Sequence, residues 1–135
     1  MVGGGLIGCE VAVHLAEKGK RVAVLSRSPD IAKDAVGVVR MAVWKLLRQR
    51  GVEVLTNVAA EEIRRNGVVA VDRATGEKVF VEADDVVAAV GREPKPKLAD
   101  EIWGRVREVY VVGDASKAGR IFDAVHQGFA VGARI

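Results

Sequence analysis

The chain has 135 residues, half of them apolar and 29% charged, enough to bury one core and too few for several independent domains. Its 21 basic residues are scattered among 18 acidic ones without a run, for a net charge of +3, and no basic stripe interleaves with aromatics; this argues against a nucleic-acid interface. A single cysteine excludes an internal disulfide or dithiol pair, no set of metal ligands stands out, and no stretch has the length of a membrane span or the pattern of a signal peptide, so a cytoplasmic protein with no membrane partner is expected.

The chain opens Gly3-Gly4-Gly5-Leu6-Ile7-Gly8-Cys9-Glu10. Gly3, Gly5 and Gly8 stand at G-x-G-x-x-G spacing, and Ile7, Val11 and Leu15 recur every fourth position, which predicts a glycine turn leading into an amphipathic helix. Such a turn cradles a pyrophosphate. Glycines let the backbone approach the phosphates and let the helix pack close to a strand, and the free N–H groups of the first turn, from Leu6 and Ile7 onward, face the anion. Cys9 reads as a small buried apolar residue beneath that helix. Only Met1 and Val2 precede the glycines, where the fold needs a central strand of about five or six residues.

Gly19 is the predicted helix stop, and Arg21-Val22-Ala23-Val24-Leu25-Ser26 reads as the second strand of a βαβ unit. The loop Ser26-Arg27-Ser28-Pro29-Asp30 then falls where an adenosine ribose is held, about 20 residues past the glycines. An NADH site places a carboxylate at the strand's end, but here Ser26 stands there. Arg27 can pair with a 2′-phosphate and the hydroxyls of Ser26 and Ser28 can donate to it, which favours NADPH; with Arg27 as a solvated surface residue, Asp30 would bind the ribose instead.

Residues 31–37 read as a connection, helical at first and interrupted by Gly37. Val39, Val43, Leu46 and Leu47 line one face of the next helix, Trp44 packs beside them, and Gly51 ends it before the strand Val52-Glu53-Val54-Leu55. Between residues 58 and 82 the apolar period becomes two, with Asn66-Gly67 and Thr75-Gly76 as turns, which predicts a three-stranded antiparallel meander that covers one face of the sheet and need not touch a ligand, with Glu61, Glu62, Arg64 and Arg65 as surface charge. Residues 86–90 read as a buried strand ending at Gly91, a second candidate for close cofactor approach, and the prolines at 94 and 96 mark a boundary. Val109-Tyr110-Val111-Val112 reads as a strand, Gly113-Asp114-Ala115 as a turn with Asp114 as hydrogen-bond acceptor, and residues 121–135 as a helix with Ile121, Val125 and Phe129 on one face. The fold class is therefore α/β: a Rossmann-like parallel sheet with an antiparallel meander inserted, a C-terminal strand and helix, and little of its first strand.

Three landmarks stand in order: Gly-Gly-Gly-Leu-Ile-Gly-Cys-Glu at 3–10, Ala-Val-Gly-Arg-Glu-Pro at 89–94 and Val-Tyr-Val-Val-Gly-Asp-Ala at 109–115. Together they resemble the two-dinucleotide-binding flavoprotein oxidoreductases, of the pyridine nucleotide-disulphide oxidoreductase type. The run Asp-Ala-Val-His-Gln-Gly-Phe at 123–129 is similar to the C-terminal region of the NADH:flavin oxidoreductase, 2,4-dienoyl-CoA reductase and trimethylamine dehydrogenase group. The resemblance implies an NAD(P)-binding domain over 1–93, with Gly3, Gly5 and Gly8 on the pyrophosphate, Glu10 near the nicotinamide and Gly91 bordering the cofactor. It implies that 94–135 resembles the end of an FAD-binding domain, with Asp114 on ribityl or ribose hydroxyls, and that hydride passes from nicotinamide to flavin. The first half of that FAD domain has no counterpart here, so FAD is expected only with a partner chain, the chain being either a subunit beside a separate FAD-binding chain or a fragment of a longer one; a homodimer is the other partner expected. The short first strand leaves a slot in the sheet, expected to be filled by residues 109–112 or by a second copy.

Overall fold

The structure is a computed structural model describing residues 1–135. It falls into two compact units, Met1–Gly91 and Arg92–Ile135.

In the first unit the elements run α1 (Leu6–Glu17), β1 (Ala23–Ser26), α2 (Gly37–Gln49), β2 (Glu53–Thr56), β3 (Val58–Arg64), β4 (Gly67–Asp72) and β5 (Lys78–Glu82). β1 and β2 pair in parallel, and β3, β4 and β5 form the antiparallel meander. Both long helices end on a glycine in the left-handed region. Gly19 donates to Ala16 O and Lys20 to Leu15 O after α1, and Gly51 donates to Arg48 O and Val52 to Leu47 O after α2. This pair of bonds satisfies carbonyls that the helix leaves open and turns the chain straight into the following strand.

The slot beside β1 is filled by Met1, Val2 and Gly3, not by residues 109–112, which form no strand. Leu25 N–H donates to Met1 O at 2.9 Å and Gly3 N–H to Leu25 O at 3.0 Å; on the other side Val2 donates to Val87 O at 2.8 Å and Ala89 to Val2 O at 2.7 Å. Three residues thus make a parallel ladder on both sides, which satisfies the backbone groups that an open slot would strand. The strand expected over 86–90 shrinks accordingly to a single bridge at Ala88, with Val87 and Val90 exposed, because its neighbour is only three residues long.

Two apolar clusters flank the sheet. Cys9, Ala12, Val24, Ile31, Val43, Leu47 and Val52 fill the space beneath α1 and α2, and Leu25, Val58, Val68 and Ala70 fill the space beneath the meander. Val24 and Leu25 point to opposite faces, as alternate residues of a strand must. The buried side of α1 is Gly8, Cys9 and Ala12, while Ile7 is 49% exposed, so the packing face is turned from the Ile7–Val11–Leu15 stripe that periodicity suggests. Small side chains win that position because the helix crosses directly over the glycine loop. Val43 and Leu47 are buried on α2 and Leu46 is exposed. Residues 31–36 form turns without a helix, and Gly37 starts α2 where it was expected to interrupt one, since the first helical position tolerates glycine better than the interior.

The second unit holds α3 (Lys97–Ile102), a 3-10 turn (Gly113–Ala115) and α4 (Ile121–Gly132). Pro96 caps α3, a short helix that the two prolines concealed. α4 is anchored by Gln127, whose Oε1 accepts from Gly113 N–H at 2.6 Å and Ser116 Oγ at 3.0 Å, and by Asp123, whose Oδ2 accepts from Arg120 N–H at 2.8 Å at the helix start. No residue of this unit is buried, and Ile121, Phe122, Val125 and Phe129 are all more than half exposed.

Candidate functional site

The candidate site forms where the opening segment turns into α1. Gly3 has φ +114°, and a Cβ there would overlap the Ala89 carbonyl; a Cβ on Gly8 would overlap the Gly3 carbonyl oxygen and meet Ala89 Cβ at 3.3 Å. On Gly4 it would meet Ser26 Cβ at 2.5 Å. These three glycines are needed by packing: they let loop, helix and strand close on one another. Gly5 differs. Its backbone is extended, at φ −71° and ψ 172°, and a Cβ there would reach only the Asp34 carboxylate, at 3.7 Å. Gly5 is thus the one position of the loop whose missing side chain leaves room toward the outside.

Gly5 is the N-cap of α1 and has no side chain to cap with, so the first-turn donors need an outside acceptor. Leu6 N–H finds one in Asp34 Oδ1, at 2.9 Å. Asp34 is brought there by the turns after β1. Ile31 and Ala32 are fully buried, Ala32 N–H donates to Gly4 O at 2.7 Å, and Ala32 sits in the left-handed region at φ +47°. An alanine held at that φ is strained by about 1 kcal/mol, so burial and the Gly4 bond hold the segment in place. The Asp34 carboxylate thus caps the helix end that its dipole makes favourable for a negative charge. Sequence reading missed Asp34, since nothing local links it to a helix 28 positions earlier.

At the carboxyl end of β1, Ser26 is 3% exposed and its hydroxyl donates to Asp30 O at 3.3 Å while accepting from Ser28 N–H at 3.3 Å. Its hydroxyl shapes the loop instead of facing outward, contrary to expectation, because the Gly4 backbone packs directly against it. Arg27 is exposed. Asp30 is fully engaged: Oδ1 accepts from Trp44 Nε1 at 3.1 Å and Ile31 N–H at 2.8 Å, and Oδ2 pairs with Arg40 at 3.2 Å. The Trp44 bond first, then the Ile31 bond and Arg40, hold the Asp30 carboxyl below its ordinary range. Trp44 therefore packs and also donates.

Glu10 is exposed on α1, and Gly91 is exposed at φ +136° with open space around its missing side chain. Burial pushes the Cys9 thiol up to about 11, and it donates weakly to Gly4 O at 3.6 Å, which makes it packing beneath the loop. In the second unit Asp114 pairs through Oδ2 with Arg92 at 2.6 Å and accepts Gly119 N–H on Oδ1 at 2.9 Å, while Arg92 also donates to Gly119 O at 2.7 Å. Each of its oxygens already holds a partner. No group of three or more metal-ligating side chains forms, and no helix is long and apolar enough to cross a membrane.

A parallel sheet with a glycine loop opening its first helix, and an antiparallel meander beside it, is the Rossmann-type nucleotide-binding fold of flavoprotein oxidoreductases. The family model for pyridine nucleotide-disulphide oxidoreductases matches residues 1–128, and the chain belongs to that family. It is 37% identical over 132 residues to an NADH oxidase of Thermoanaerobacter brockii and 35% identical over 130 residues to a bilirubin reductase of Mediterraneibacter gnavus, covering 97% and 96% of this chain. A 2-naphthoyl-CoA reductase complex superposes with a TM-score of 0.90 at 32% identity over 99% of the chain, and a T. acidophilum thioredoxin reductase with 0.74 at 25% identity over 94%. The chain spans about a fifth of the two curated relatives and of the naphthoyl-CoA reductase, and 47% of the thioredoxin reductase.

Proposed function

We propose that this chain is the NAD(P)H-binding part of a flavin-dependent oxidoreductase, of the kind found in the C-terminal region of the NADH:flavin oxidoreductase and trimethylamine dehydrogenase group. One observation carries the reading: Leu6 N–H, at the start of α1, is capped by a carboxylate across the open space at Gly5. Anion recognition and room for backbone approach coincide there, which is what a dinucleotide's pyrophosphate requires. Gly5, Leu6 and Ile7 would hold the pyrophosphate, the loop at 26–28 the adenosine ribose, and Glu10 and Gly91 would border the nicotinamide half. The bound nicotinamide would supply a hydride, and the chain's residues position it and exclude competing contacts.

Asp114, the family-like acceptor for the second nucleotide, is positioned by Arg92 and Gly119, and the flavin would be held together with a separate FAD-binding chain or the rest of a longer protein. Adding NADPH or NADH with FAD and a dye acceptor tests this. The chain alone is expected to bind the nicotinamide without oxidising it, and oxidation is expected to begin when the flavin partner is supplied. Absence of nicotinamide binding would overturn the reading.

A second reading is self-association without catalysis, favoured by the exposed Ile121, Phe122, Val125 and Phe129 of α4. Sedimentation at increasing concentration separates it, since a monomer throughout would remove its basis.

A further inference from the structure

The turn between β4 and β5 brings a cation to the loop that follows β1. Arg73 Nη1 donates to Arg27 O at 2.9 Å, across 46 positions of sequence. The backbone holds this meeting in place: Arg73 N–H donates to Asn57 O at 2.7 Å, and Asn57 N–H donates to Ser28 O at 2.9 Å. Asn57 has φ +58°, a left-handed conformation that asparagine adopts more readily than most residues. One residue between β2 and β3 therefore clamps the 26–28 loop with its N–H and the Arg73 segment with its carbonyl.

Both arginines are exposed, and neither has a carboxylate at ion-pair distance. Arg73 uses one of its guanidinium donors on Arg27 O and keeps the others free. The acidic residue of the loop, Asp30, already accepts from Trp44 and Ile31 on Oδ1 and pairs with Arg40 through Oδ2, so three of its roughly four acceptor sites are taken and its charge is matched. Two arginines without carboxylate partners, at a loop whose one acidic side chain is paired with Arg40, suit a dianion better than a diol.

We propose that Arg27 and Arg73 together receive the 2′-phosphate of NADPH, and that Arg73, supplied by the meander, sets the preference for NADPH over NADH. The proposal rests on the dinucleotide reading above, with the adenosine ribose at the carboxyl end of β1. The meander, which reads as a cover for the sheet, becomes a specificity element.

Calorimetric titration of the full chain with 2′-phospho-ADP-ribose and with ADP-ribose tests it, since the two probes share the pyrophosphate and differ only in the 2′-phosphate. The wild type is expected to bind 2′-phospho-ADP-ribose about tenfold or more tighter than ADP-ribose, and Arg73→Ala to lose about tenfold on 2′-phospho-ADP-ribose while moving ADP-ribose by less than about twofold. Arg73→Lys should retain an intermediate preference, and Arg27→Ala should lose it as Arg73→Ala does. Equal binding of the two probes by the wild type, or an equal loss on both in Arg73→Ala, would overturn the proposal and leave dinucleotide binding standing. Failure of both probes to bind the wild type would overturn the dinucleotide reading and this proposal with it.

Discussion

Asp34 Oδ1 accepts a hydrogen bond from Leu6 N–H at 2.9 Å, so an acidic side chain from the loop after β1 caps the helix whose first turn faces the proposed pyrophosphate. A cap and a ligand that use the same donor compete. Asp34→Ala should lower the stability of the ligand-free chain by about 1 kcal/mol, the ordinary cost of losing an N-cap acceptor. The same variant should bind NAD(P)H several-fold tighter, because a like charge has left the site. Thermal unfolding and calorimetry on the two proteins read both effects; weaker binding would make Asp34 a contact of the ligand and not its competitor.

The loop glycines separate into two kinds. Gly8→Ala drives a methyl group into the Gly3 carbonyl and the Ala89 side chain, and α1 cannot retreat without opening the cluster around Cys9 and Ala12. A loss of about 2–3 kcal/mol in stability is expected. Gly5→Ala meets only the Asp34 carboxylate, at φ −71°, a conformation alanine accepts. It should keep or raise stability by a few tenths of a kcal/mol while losing dinucleotide affinity. Denaturant curves beside binding curves distinguish the pair.

Trp44→Phe keeps an aromatic ring on α2 and removes its donation to Asp30. The Asp30 carboxyl, held below its ordinary range chiefly by that donation, should then titrate higher, which carbon-detected NMR measures directly. The lowered value stabilises the fold at pH above the ordinary carboxylate range, and that contribution is lost as the pH falls through the folded-state value. The variant should show less of this acid-dependent loss.

Cys9 is fully buried, and its thiol is pushed from 9.0 up to about 11. Because the folded value is the higher one, this stability is complete below pH 9 and drains as the pH rises toward 11, by up to about 2–3 kcal/mol. Cys9→Ala should flatten that alkaline decline at the cost of a small cavity. Native Cys9 should resist alkylation at pH 8 and react only on unfolding.

The glycine loop, α2, β2 and the meander were legible because each is specified by neighbours in sequence: Gly-x-Gly-x-x-Gly spacing, a 3.6 period, a period of two between Asn66-Gly67 and Thr75-Gly76. What escaped depends on distant partners. The strands expected at 86–90 and 109–112 have the right composition, yet a strand exists only where another offers a ladder, and Val2 offers one bridge. The buried face of α1 was displaced because close crossing over the loop selects small residues over Ile7. Asp34 on Leu6 and Arg73 on Arg27 join residues 28 and 46 positions apart, and no local pattern announces such a meeting.

On the proposed reading, the backbone amides opening α1 grip a dinucleotide's pyrophosphate. Amide NMR of the full chain during titration with NADPH and NADH tests it most directly. The account predicts saturable shifts at Gly5, Leu6, Ile7 and Gly8 with the Leu6 signal moving as Asp34 is displaced, and their disappearance in Gly5→Ala. Unchanged amides at these positions up to millimolar nucleotide, or shifts that survive Gly5→Ala intact, would contradict it.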